Sequence, residues 1–144
     1  MEFVYWRMII ESPGALARLM KESFEKLGPY IEKHTQRVCP VCQKVCCANK
    51  HGTPEREDFL FYRALGVEPE PARGAPDEIC SLLGGTGCGL PRWQRPFRCT
   101  WYFCGPLLDS MRRGNGREYR RLVAELALLV ELRGRLISIG PLQE

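Results

Sequence analysis

The order of apolar and polar positions divides the chain into helical stretches separated by irregular segments. Leu16, Leu19, Met20, Phe24, Leu27 and Ile31 recur at helical spacing, which puts them on one face of a first helix. Ser12 followed by Pro13 supplies its N-cap and first helical residue, where the N–H that proline lacks would have no partner anyway. Gly28 and Pro29 should kink or restart that helix, delivering the chain to Cys39 and Cys42 at its exit. Thr53 and Pro54 should open a second helix that carries Phe59, Leu60 and Tyr62 inward and stops near Gly66. The stretch "VEPEPARGAPDE" then reads as a loop rich in proline and charge, not as a linker between domains. A final helix is marked by Asn115 with Glu118, which resembles a capping box, and by the face Tyr119, Leu122, Val123, Leu126, Leu129 and Val130.

These elements predict a mainly α fold. The expected architecture is one domain over residues 1–144, with the first and last helices as an apolar frame and little strand. Its irregular middle, residues 39–104, would be organised by metal, because that region is too poor in aliphatic runs to build a core of its own. The length of 144 residues and the 44% hydrophobic content suit a single domain with a modest core. The opening "MEFVYWRMII" is too short to span a bilayer, is interrupted by Glu2 and Arg7, and lacks the basic leader and cleavage site of a signal peptide. A reducing cytoplasm is therefore the expected compartment, with no membrane partner. There, cysteine clusters are more often metal ligands or redox catalysts than structural disulfides.

Cysteine is the residue type that changes the picture. "RVCPVCQKVCC" holds four of the eight cysteines within nine positions. A C-x2-C step such as Cys39 to Cys42 lets both sulfurs reach one cation, and thiolates prefer zinc, copper(I) or iron–sulfur iron. Pro40 stiffens that turn before any metal arrives. Adjacent side chains diverge, so Cys46 and Cys47 can serve different sites. The second group, Cys80, Cys88, Cys99 and Cys104, lies in "CSLLGGTGCGLPRWQRPFRCTWYFC".

The run C-x2-C-x3-C-C, the later "CSLL", a glycine-preceded cysteine and "RPFRC" together resemble the YkgJ-like family of zinc- or iron-chelating cysteine-cluster domains. The resemblance covers roughly residues 39–104 and departs from the family's C-x2-C-x2-C-C opening by the three-residue spacer Gln43, Lys44 and Val45. It implies that Cys39, Cys42, Cys46, Cys47, Cys80, Cys88 and Cys99 are metal ligands, with Arg95 and Pro96 as the RP pair. Cys104 joins them on spacing alone.

Charge fits that reading. The formal net charge of +4 counts every cysteine as neutral. Eight thiolates around two divalent cations would add about −4, leaving the loaded protein near neutrality. Arg92, Arg95 and Arg98 sit beside Cys99 in sequence and could offset the thiolates. Arg112, Arg113, Arg117, Arg120 and Arg121 bracket the start of the last helix and offer an alternative: a phosphate or nucleic-acid module with structural zinc, possible but not favoured. "GGTGCG" lacks the strand and helix of a nucleotide-cradling loop and reads as a turn that brings Cys88 to its site. His34 and His51 flank the first cluster as candidate ligands, and Trp93, Phe97, Trp101, Tyr102 and Phe103 should pack around the last cysteines. No acid–base pair or nucleophile with its base can be read. The expectation is one or two thiolate sites holding zinc, which is favoured, or an iron–sulfur cluster, the latter opening a redox or transfer enzyme as a further alternative.

Overall fold

The structure is a computed structural model and describes residues 12–42, 46–85 and 87–139. The opening apolar stretch and the spacer between Cys42 and Cys46 lie outside the described residues. The fold is mainly α. Helix α1 spans Pro13–Val38, and Ser12 Oγ accepts the N–H of Ala15 at 3.2 Å as its N-cap. Pro29 lies inside α1 without restarting it, so the chain reaches Cys39 at the end of one uninterrupted helix. Proline in a helix interior costs about 3 kcal/mol. Here buried Leu27, Ile31 and His34 lie on both sides of it, and their packing holds the helix through that position.

Helix α5, Gly116–Ile139, runs antiparallel to α1. Two side-chain contacts fix the direction: Lys33 reaches Glu118 at 3.3 Å, and Ser23 Oγ donates to the carbonyl of Glu125 at 3.4 Å. Leu16, Met20, Phe24, Leu27 and Ile31 of α1 meet Leu122, Leu126, Leu129, Leu132 and Leu136 of α5 in one core. The expected cap of α5 holds, since Asn115 Oδ1 accepts the N–H groups of Arg117 and Glu118. The expected inner faces need correction at four positions, as Leu19, Phe59, Val123 and Val130 are 38%, 40%, 50% and 40% exposed. Val123 and Val130 each sit one residue past Leu122 and Leu129, a rotation of roughly 100° that carries them off the buried stripe.

Helix α2, Arg56–Leu65, starts later than Thr53–Pro54 because Glu55 and Asp58 form its capping box. Asp58 Oδ2 accepts the N–H of Glu55 at 2.8 Å. The helix ends where expected, at Gly66, whose φ of 74° suits a residue without Cβ. Phe61 and Tyr62 are buried and Leu60 is half-buried. Two short strands, β1 (Leu83–Gly84) and β2 (Gly87–Cys88), pair antiparallel with Leu83 opposite Cys88. Helix α3 is Phe97–Trp101, and α4, Gly105–Arg113, contributes Leu107 and Met111 to the core. The sequence pattern did not anticipate α4, which places Arg112 and Arg113 in a last helical turn and not at the start of α5. Cations there complement the helix dipole. No helix among the described residues is long and apolar enough to cross a membrane.

Candidate metal centre

Each cysteine is carried by a local feature the sequence dictates. Cys39 opens a 3-10 turn, Cys39–Val41, at the end of α1, and the N–H of Cys42 donates to the Cys39 carbonyl at 3.2 Å. Pro40 sits in the first positions of that turn, so the C-x2-C step is one closed loop of backbone. Cys104 is the residue before α4 and packs half-buried against the core. Cys47 and Cys80 lie on neighbouring extended segments: the Cys80 N–H donates to the Cys47 carbonyl at 3.1 Å, next to the Ala48–Ile79 bridge. Buried Asn49 locks the two segments, its Nδ2 donating to the Ala75 carbonyl at 2.9 Å while its Oδ1 accepts the Ser81 N–H at 2.8 Å. From Cys80 the chain turns back through the Leu83 N–H, which donates to the Cys80 carbonyl, and then pairs Leu83 with Cys88. Within "GGTGCG", Gly84 pairs with Gly87, whose φ is 130°, so Cys88 lies on the returning strand. Cys99 lies in α3, and its Sγ donates to the His51 carbonyl at 3.5 Å.

The thiols are electrostatic neighbours. Burial raises the pKa of Cys39 above the usual thiol value, with Cys46, Cys104 and Cys42 adding to it. Burial first, then Cys88 and Cys80, push Cys99 up to about 11 against the pull of Arg95 and Arg92. Cys47 is pushed up to about 12 by crowding around its thiol, then by Cys46, Cys99, Cys39 and Cys80. None of the eight cysteines is in a disulfide; three are exposed and five half-buried. Among the described residues, no three His, Cys, Asp or Glu side chains form a group that could share one cation. The sulfurs bear on one another electrostatically, with Cys47 coupled to Cys46 and Cys39 as well as to Cys99 and Cys80, and form no closed shell among the described residues.

The arginines sort themselves differently. Arg92 is 6% exposed and donates from one terminal nitrogen to the Cys99 carbonyl at 3.2 Å, while its Nε has no partner among the described residues. Burial depresses its pKa to about 10, assisted by Arg95 and opposed by Glu32, Cys99 and Cys88. Arg95 donates to the Leu90 carbonyl and pairs with Glu32 at 3.2 Å. Arg98 donates to the Thr53 carbonyl at 2.7 Å, with its own Nε buried and unpartnered among the described residues. A buried cation with no ion pair among the described residues, beside thiols, is the feature of this region that suits a donor set able to become anionic.

The two histidines take other roles. His34 is buried on α1 with Nδ1 2.8 Å from Ser110 Oγ, and Lys33, Arg37 and Glu118, not thiols, bear on its charge. His51 offers its carbonyl to Cys99. The aromatic shell is partial. Trp93, Phe97 and Phe103 pack against the core, but Trp101 and Tyr102 are 53% and 64% exposed. Asp58 and Tyr62 were missed as supports of the site. Asp58 Oδ1 accepts the Phe97 N–H at 3.0 Å, and Tyr62 donates to the Gln94 carbonyl at 2.8 Å, tying α2 to the segment that carries Cys99. The acidic residue three positions after Glu55 was a legible capping-box signal; the reach of Asp58 to Phe97 was not. No family model matches the chain, and neither does any curated protein or solved structure.

Proposed function

We propose that this chain is a thiolate metal-binding protein of the YkgJ-like kind, with two sites of four cysteines each. Cys39, Cys42, Cys46 and Cys104 make up one, and Cys47, Cys80, Cys88 and Cys99 the other. The observation that carries the reading is the pattern of neighbours: Cys39 feels Cys46, Cys104 and Cys42, Cys99 feels Cys88 and Cys80, and Cys47 stands between the sets while bonded through its backbone to Cys80. Adjacent Cys46 and Cys47 then fall into different sites, as the divergence of neighbouring side chains favours. Buried Arg92 supports an anionic charge at the second site.

Zinc is the preferred occupant, since it asks only for tetrahedral soft ligands and tolerates irregular loops. Bound there, it would tie the middle of the chain to the α1–α5 frame, and its binding free energy would become folding free energy. An iron–sulfur cluster is the second reading, favoured by the aromatic packing of Trp93 and Phe97 near Cys99. Anaerobic and aerobic purification, each with elemental analysis and a visible spectrum, tests the assignment. A colourless protein with about two zinc ions per chain is expected. A brown protein that loses iron and sulfide in air would replace zinc with the cluster, and a protein free of both after mild purification would end the metal reading.

A further inference from the structure

The ends of α1 and α4 enclose an open cleft of about 500 Å³, walled by Lys33, Arg37, Asp109 and Arg113, with His34 and Ser110 beneath them. His34 is only 3% exposed, and its Nδ1 lies 2.8 Å from Ser110 Oγ. Burial, then Lys33 and Arg37, lower its pKa, so the imidazole is neutral and keeps one N–H to donate. Lys33 is already paired with Glu118 at 3.3 Å. Arg37 and Arg113 make no ion pair among the described residues, and Asp109 is the one acidic side chain in the wall. With Lys33 paired elsewhere, two guanidinium groups against the single carboxylate of Asp109 leave this concave surface net positive and attractive to an anion. A planar guanidinium presents paired N–H donors that match the oxygens of phosphate, and a neutral imidazole adds a donor without a charge.

We propose that this cleft binds the phosphate group of a small phosphorylated molecule, with Arg37 and Arg113 gripping the oxyanion over the His34–Ser110 pair. The volume exceeds that of phosphate alone and falls within the range of about 300–1,000 Å³ usual for small-molecule sites. A nucleic acid would want a long basic groove with aromatic faces for its bases, and this cleft is short and has no aromatic wall. The site is independent of the metal reading, although Val38, which helps line it, is the residue before Cys39.

The test is isothermal titration of the full chain, carrying whatever metal it is purified with, against inorganic phosphate, a sugar phosphate and an oligonucleotide without terminal phosphate. Saturable binding of both phosphates at one site is expected, with dissociation constants of about 0.1–1 mM. Arg37→Gln and Arg113→Gln should each weaken it about tenfold, the weight of a charged hydrogen bond. Both arginines are exposed, so the variants keep the fold, and circular dichroism checks this. Arg117→Gln and Arg121→Gln, outside the cleft, should leave affinity unchanged. Absence of saturation at about 10 mM phosphate would overturn the proposal. So would equal weakening by the outside pair, which means diffuse attraction, or an oligonucleotide that binds more tightly than the sugar phosphate. Metal content measured on the same samples keeps a failure here distinct from a failure of the metal assignment.

Discussion

Replacing Arg92 with methionine should stabilise the protein without metal and weaken its hold on metal. The depression of the Arg92 pKa from the ordinary arginine value to about 10 is a statement about the cost of keeping its charge buried. At roughly 1.4 kcal/mol per unit, that cost is about 3 kcal/mol. The sign follows from linkage: a cation whose folded pKa lies below its unfolded one destabilises the fold at every pH below about 10, and fully so at pH 7. Methionine removes this cost and fills similar volume, but gives up the hydrogen bond to the Cys99 carbonyl, worth about 1 kcal/mol. The net gain without metal is about 1–2 kcal/mol. With metal bound, four thiolates on a divalent cation carry a net negative charge beside the guanidinium, and losing Arg92 should lower zinc affinity about tenfold or more. Urea unfolding of reduced, chelator-treated protein and zinc competition against a coloured chelator, both at pH 7, read the two effects. Equal destabilisation with and without zinc, or unchanged zinc affinity, would refute the reasoning and leave Arg92 as packing alone.

Three further outcomes follow from the supports of the site. Asp58→Ala removes the acceptor of both the Glu55 and Phe97 N–H groups and should cost about 2–4 kcal/mol in urea unfolding; a loss under about 0.5 kcal/mol would contradict the link between α2 and α3. In metal-free protein, the Cys99 thiol keeps its proton to about pH 11 while the unfolded thiol loses it near 9.0, so stability should fall as pH rises through that window, by up to about 2–3 kcal/mol, and Cys99→Ala should flatten the fall. Gly52→Ala would put a Cβ 2.7 Å from that of Ala72 and 2.9 Å from Cys80 Sγ, so the sulfur must move; the second site should lose metal in elemental analysis while the first keeps it.

The helical frame was legible because it rests on local rules. The apolar steps of α1, the Ser12 and Asn115 caps and the Gly66 stop each follow from residues within one or two turns. Pro29 does not restart α1 because its local cost is outweighed by packing with residues of α5 far along the chain, a tertiary effect no local window contains. Helix α4 was hidden for a similar reason. Its buried face is only Leu107 and Met111, one turn apart, too little periodicity to stand out against the arginines around it. At the cysteine region, sequence spacing marked the thiols but could not sort them. The proposed sorting rests on long-range pairings, Cys47 with Cys80 and Leu83 with Cys88, and on the turn that lets Gly52 approach the Cys80 sulfur. Likewise, His34 lies close to Cys39 in sequence, yet its buried face on α1 turns it to Ser110.

The central claim, two sites of four thiols divided between Cys46 and Cys47, is tested most directly by counting metal in single variants. Wild-type protein, Cys104→Ser and Cys80→Ser would be purified anaerobically, challenged with the same chelator and analysed for metal per chain. The account predicts that each serine variant loses about half of the wild-type metal, and that the double variant loses nearly all of it. Loss of all the metal from either single variant would mean one shared centre, and full retention in both would mean that these sulfurs hold no metal.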